Sequence, residues 1–399
     1  MDEGRGFYGW RIVAALAVTQ TVGYGVLYYA FGVFVQPMEE ELGFNRAQTA
    51  GAFSLALLVS GLAAVPVGRW FDRYGGRSLM ALGSLWGALL LWAWAQVEGL
   101  LGFYLVWAGL GLSMATVLYE TAFAVLAVWF RRQRARALLA VSLAAGLAST
   151  LFVPLATGLV EALGWRGALE ALALLFALLT VPLHALVLRT PPWGHGQPQE
   201  GVGPSPWLAL RQATFWWLTL GFALARATSV AMTAHLVPLL GERGYAPWLA
   251  AGVAGAVGVV QLLGRLLYTP LLERASPFYL SGAFLGGYAL GLLGLLGLPG
   301  GVGLWAFVLF FGMANGVISL AKPVLLAETY GARHYGRLSG SMAFFVAIAQ
   351  TLAPFGVGLL HGFWGGYTPV LWLLLGLAAL AALAVGLARP PDAAVKKGG

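Results

Sequence analysis

Cysteine is absent from all 399 residues, which excludes disulfides, thiolate metal ligands and thiol nucleophiles. Charge is scarce as well. Asp, Glu, Lys and Arg together make up 10% of the chain, against roughly 25% in an ordinary soluble domain, so a water-soluble globular protein is excluded. Asparagine occurs only at 45 and 315, and histidine five times, too few and too scattered to suggest a ligand cluster. No metal or other cofactor is expected.

What fills the chain is hydrocarbon. Hydrophobic residues account for 60% of it, and the mean hydropathy is +0.81. Apolar stretches of about 20 residues, each long enough to cross a bilayer as a helix, recur at roughly 10 to 35, 47 to 70, 78 to 96, 101 to 129, 136 to 160, 165 to 188, 213 to 240, 247 to 272, 277 to 297, 302 to 326, 337 to 360 and 367 to 388. The expected fold is therefore an all-α membrane protein of twelve transmembrane helices. The opening "MDEGRGFYGWRIVAALAVTQ" is too acidic and its apolar run too long for a signal peptide, and reads as an uncleaved first helix.

A net charge of +8 would fit nucleic acid, but the positions of the charges argue otherwise. With the N-terminus cytoplasmic, that side receives 18 of the 23 Lys and Arg, the opposite side receives Arg46, Arg166 and Arg243, and Arg226 and Arg265 fall within spans. The positive-inside rule then places both termini in the cytoplasm of a cell-membrane protein. The expected partners are the lipid bilayer and a small solute, not nucleic acid.

Residues 189–212, "RTPPWGHGQPQEGVGPSPWLALRQ", form the one long polar interruption, rich in Pro and Gly. They divide the chain into a six-helix bundle at 1–188 and a second at 213–399 with a short cytoplasmic tail. His195 in this linker reads as a solvated loop residue. The halves superpose in register at a shift of 201 and later 200 residues: Pro37 on Pro238, Glu41 on Glu242, Gly43 on Gly244, Asp72 and Arg73 on Glu273 and Arg274, Phe130 on Tyr330, Pro154 on Pro354, and Gly158 on Gly358. Two such repeats with the same orientation are a secondary-transporter plan, with the substrate bound near the midplane.

The run "GRWFDRYGGR" at 68–77 resembles the second-loop signature of the major facilitator superfamily, Gly-x3-Asp-Arg-x-Gly-x-Arg, carried here by Gly68, Asp72, Arg73, Gly75 and Arg77. The resemblance implies a cytoplasmic gate in which Gly68 permits close packing and Asp72 holds the gate shut, a carboxylate beside the positive N-terminus of the eleventh helix. Within that superfamily, "FYGWRIV", "WFRRQRARALLAVSLAAG", "GWRGALE" and "ETYGARHYGRLSG" resemble the monocarboxylate transporter and oxalate:formate exchanger branch. Glu328 joins the gating set, and Arg131, in a cluster with Arg132, Arg134 and Arg136 that reads mainly as a topology anchor, joins it through gate salt bridges. The Gly-Pro and Gly-Gly signature of drug exporters is missing from "GLASTLFVPLATGLV".

Charges inside spans carry the site expectations. Insertion of a central Arg costs roughly 2.5 to 3.5 kcal/mol, so Arg265 needs water, a partner or a ligand. The resemblance assigns an Arg in the eighth helix to the substrate carboxylate, and guanidinium suits that role because its planar fork stays charged. The competing reading is a structural partner for a carboxylate or backbone carbonyls. Gln261 stands where animal relatives carry an Asp four residues earlier, and Tyr28 where they carry a Lys, so their proton scheme does not transfer whole. Arg226 is either a second cation for a dicarboxylate or a partner for Glu120. Glu120, the one acid well inside a span, is a proton carrier or a permanent ion-pair member. Gln261, His235, Tyr24, Tyr28, Tyr119 and Asn315 are further substrate-binding candidates, the histidine and the aromatics also readable as packing. Lys322 reads as a snorkelling or gating residue.

Three function classes are compared. A carrier of small organic anions, working by alternating access with protons or by exchange, leads; short monocarboxylates such as lactate or pyruvate come first and dicarboxylates such as oxalate next. A drug or sugar exporter is the alternative within carriers, and a carrier-like sensor needs the same site without flux. A membrane enzyme is disfavoured, because the His-Glu-x-x-His zinc motif, the intramembrane Gly-x-Ser-Gly motif and any close pair of intramembrane acids are missing. Such a fold needs no second copy, so a monomer is expected.

Overall fold

The structure is a computed structural model, and it describes residues 7–190, 206–331 and 334–388. His195, most of the linker (191–205) and the tail from 389 lie outside the described residues. Among the described residues every regular element is a helix.

Eleven helical stretches are long and apolar enough to cross a membrane. One of them, Arg134–Val187, is two crossings in one: Gly164, at φ 70° and ψ 170°, breaks it with a backbone conformation that favours glycine. The helices are then α1 (Gly9–Leu42), α2 (Gln48–Tyr74), α3 (Gly76–Ala95), α4 (Leu100–Trp129), α5 (134–163), α6 (165–187), α7 (Ala213–Glu242), α8 (Pro247–Leu271), α9 (Pro277–Gly297), α10 (Gly300–Tyr330), α11 (Tyr335–Trp364) and α12 (Tyr367–Leu387). The fold is the expected one, twelve apolar helices.

The described residues fall into two compact units. The first holds α1 to α6 and also the first turns of α11, through Phe344; the second holds α7 to α10, the rest of α11 and α12. In the first unit Trp94, Trp107, Phe34, Phe103 and Phe176 are fully buried, with the rings of Trp94 and Trp107 edge to face at 4.8 Å. Phe215, Phe222, Tyr268 and Tyr288 do the same in the second.

Small residues set the helix crossings, because in lipid no hydrophobic force brings helices together and close backbone approach supplies the attraction. Gly111 of α4 lies on the backbone of Ala56 in α2, and Gly312 of α10 lies on Val257 and Val260 of α8. Those two contacts are 201 residues apart on both sides, so the repeat read in sequence is also a repeat of packing.

Two helices of the first unit leave α-geometry. In α1 the segment Gly25–Tyr29 is a π-turn. In α4 Leu118 is extended, at φ −85° and ψ −167°, so that Tyr119 and Glu120 open a new helical segment. Gln20 of α1 donates from Nε2 to the carbonyl of Val117 at 2.6 Å, satisfying an acceptor beside the break.

Candidate functional site

In the second unit the intramembrane arginines have different surroundings. Arg226 on α7 is half-buried, and its Nε donates to Oε1 of Gln350 on α11 at 3.0 Å. Its Nη groups meet no protein acceptor among the described residues. One turn on, Ser229 donates to Oδ1 of Asn315 on α10, and the Tyr288 hydroxyl donates to the same oxygen at 3.0 Å. Two donors on one oxygen orient the Asn315 amide, leaving its NH2 edge to point elsewhere. Arg226 is within electrostatic range of Tyr288, so the guanidinium and the Asn315 amide belong to one cluster. Its outward-offered groups are all hydrogen-bond donors.

Arg265 on α8 is 8% exposed, and its Nε lies 3.4 Å from the carbonyl of Gly316 on α10. The backbone of Gln261 packs directly on Gly316, so Gln261 and Arg265 both sit at the α8 to α10 crossing. His235, two and a half turns beyond Arg226, has both ring nitrogens engaged: Nδ1 with the Tyr367 hydroxyl and Nε2 with the Pro354 carbonyl, each at 2.9 Å.

In the first unit Tyr24 lies against Tyr119, ring centroids 4.6 Å apart, and 6.2 Å from Tyr28. The three tyrosines gather where α1 and α4 depart from regular geometry. Tyr119 has its hydroxyl 3.5 Å from the Ser142 carbonyl. Glu120 accepts from Ser339 at the start of α11, 2.9 Å away. Glu120 therefore meets Ser339, and Arg226 meets Gln350, each within its own unit.

The loop signature is laid out around the start of α11, inside the first unit. Asp72 accepts from the backbone N–H of Gly336 at 2.9 Å and of Arg337 at 3.0 Å, while the Arg337 side chain stands 3.7 Å away. A Cβ on Gly68 would collide with the carbonyl of Gly336. Gly75, at φ 79°, turns α2 into α3. Arg77 donates to the carbonyl of Ala185 at the end of α6, 2.7 Å away, and Arg73 lies over the Tyr74 ring. Arg131 is exposed beyond α4, as is Glu328 in the last turn of α10. Arg134 donates to the carbonyls of Phe130 and Ala127, closing the end of α4.

Sequence reasoning passed over Gln350, Ser229, Tyr288 and Ser339. A signal existed for Gln350: it stands in the apolar run "AFFVAIAQTLAPF", four residues before Pro354, a residue that has no N–H to give the carbonyl at 350. Also missed was His184 on α6, buried between Ser84 at 2.8 Å and Thr19 at 3.0 Å.

Twelve apolar helices, broken at polar points and enclosing charged side chains, define a polytopic membrane carrier. The chain belongs to the Major Facilitator Superfamily, whose profile matches residues 16–354. It is 28% identical to an uncharacterized 38 kDa protein of Thermoproteus tenax, over 96% of this chain and 97% of that one. It is 29% identical to monocarboxylate transporter 11 of Homo sapiens, over 91% and 79% of the two chains. In structure it resembles the outward-conformation crystal structure of FucP, with a TM-score of 0.73 and 16% identity, covering 95% and 99% of the chains. The chain is thus a membrane-embedded transporter with monocarboxylate transporter relatives.

Proposed function

We propose that this transporter is a secondary carrier of small organic anions, with short monocarboxylates such as lactate or pyruvate as leading substrates and dicarboxylates such as oxalate next. The observation that carries the reading is Arg226: a guanidinium in a membrane helix, steadied through Nε by Gln350, with its fork unengaged by any described acceptor. A carboxylate is the chemical complement of such a fork. The oriented Asn315 amide adds a donor for a second oxygen, which suits a hydroxy, oxo or second carboxylate group. The relatives named as monocarboxylate transporters support the same class.

Arg265 is the second anchor in this proposal. Its burial against Gly316 also fits a purely structural tie between α8 and α10, and the experiment below separates the roles. Glu120, bonded to Ser339, is proposed as the proton-coupling acid, and Asp72 as the gate lock that releases α11 during alternating access. The distribution of Lys and Arg supports both termini on the cytoplasmic side of the cell membrane, and the carrier is proposed to act as a monomer because this fold needs no second copy to complete its pathway.

The test is counterflow of labelled mono- and dicarboxylates in liposomes for wild type, Arg226→Gln and Arg265→Gln. Loss of a charge-assisted hydrogen bond of about 1.5 to 3 kcal/mol predicts a rise in KM of about tenfold to a hundredfold for an arginine that binds the anion. No carboxylate flux in wild type would refute the anion reading. Unchanged KM in Arg265→Gln alone would make that residue structural.

A further inference from the structure

The end of the second unit where α7 passes into α8 carries a chain of ionisable groups. Glu242, in the last turn of α7, accepts from Nε2 of His361 on α11 at 2.6 Å. The His361 ring lies 4.3 Å from the Tyr367 ring at the head of α12. The Tyr367 hydroxyl meets Nδ1 of His235, and Nε2 of His235 meets the Pro354 carbonyl. A carbonyl only accepts, so Nε2 of His235 must carry its proton, and in the neutral ring Nδ1 accepts from Tyr367. A carboxylate likewise fixes the His361 proton on Nε2, leaving its Nδ1 open to a further proton.

The repeat shows what is special here. In the first unit the equivalent acid, Glu41, is clasped by Arg166 at 3.0 Å and by the Trp165 indole at 2.6 Å. Arg166 also donates to the carbonyl of Val97, just past the end of α3, at 3.0 Å. In the second unit those two duties are divided. Arg243 takes a carbonyl near the end of α9, that of Leu295, at 2.7 Å, and His361 takes the acid. A cation that never titrates has been replaced by one that does, and behind it stand a hydroxyl and a second histidine that have no equivalents around Glu41 among the described residues. Glu242 is exposed, and His361 and His235 are both half-buried. Among the described residues the titratable groups in contact with His235 and His361 are Tyr367 and Glu242, while Arg243, just past α7, is turned to the Leu295 carbonyl.

We propose that Glu242, His361, Tyr367 and His235 form a proton-uptake site that loads His235 from the aqueous end of α7. Water delivers a proton to Nδ1 of His361. The Tyr367 hydroxyl passes its own proton to Nδ1 of His235 and regains one from His361 through a bridging water, since those two side chains meet ring to ring and not through a hydrogen bond. One proton has then moved, Tyr367 and His361 are as before, and His235 is an imidazolium on the helix that bears Arg226, nine residues away, about 13 Å at about 1.5 Å per residue. A second positive charge on that helix favours an anion at Arg226. The inference rests on the anion-carrier reading for what the proton drives.

The test compares wild type, Tyr367→Phe and His361→Arg, the last copying the cation of the first unit. In liposomes with an inward proton gradient, both variants should lose gradient-driven accumulation of a labelled monocarboxylate while keeping counterflow, which also shows that they are folded. Accumulation equal to wild type in either variant overturns the proposal. Histidine 15N NMR of the purified full chain decides the proton site without any flux. On acidification His235 should gain its Nδ1 proton in wild type while His361 stays neutral, and should fail to gain it in Tyr367→Phe; a His235 that gains the proton equally in that variant refutes the site. Absence of carboxylate flux in wild type would count against the anion reading alone, and the NMR result would still stand.

Discussion

At the scale of single residues, the bond between Arg226 and Gln350 separates charge from geometry. Lysine keeps the charge of Arg226 but has neither the Nε donor that Gln350 holds nor a planar fork. Arg226→Lys is therefore expected to raise the KM for a carboxylate by about tenfold, one lost charge-assisted bond, and Gln350→Ala to raise it less, measured by initial rates in liposomes. Glu120→Gln keeps an acceptor for Ser339 but cannot exchange a proton, so acid-stimulated uptake should vanish while exchange persists; unchanged proton dependence would remove Glu120 from coupling. Arg226, Arg265 and Glu120 were legible in the sequence because charge in an apolar run is conspicuous. Their partners were not. Gln350, Ser229 and Ser339 are ordinary polar residues whose meaning comes from which helix lies opposite, and spacing along one chain does not encode that.

Among the helices, number and approximate extent were readable from apolar runs, whereas the departures from α-geometry were not. Nothing in "SMATVLYETAF" announces that Leu118 is extended, since no Pro or Gly marks the spot; the break depends on support from Gln20, almost a hundred residues earlier. Glycine contacts can be tested directly. A methyl group on Gly111 would strike the backbone of Ala56, while one on Gly102 of the same helix meets nothing within 4 Å. Gly111→Ala should cost about 1 to 3 kcal/mol by overpacking and lower the thermal unfolding midpoint in detergent. Gly102→Ala should leave it unchanged within about 0.5 kcal/mol. Equal midpoints would mean that the α2 to α4 crossing relaxes freely.

For the whole molecule, the repeat, the loop signature and the apolar runs together foretold the superfamily, because those features are periodic or local. Sidedness remains the expectation that charge distribution supports, and the lack of cysteine makes it simple to test. A cysteine at Glu98, exposed just beyond α3, should react with an impermeant maleimide on intact cells, and one at His195 only after permeabilisation; the reverse pattern would invert the topology. The grip of Asp72 on α11 bears on how relatives of this chain diverge. Asp72 grips the amides of residues 336 and 337, and every amino acid except proline supplies that donor. Position 336 is confined to glycine by the crowding of Gly68 and Asp72, but position 337 is open to mutational drift. The Asp72 contact therefore leaves half of its own recognition unwritten in side chains, and a comparison of residue identities at 337 would miss it.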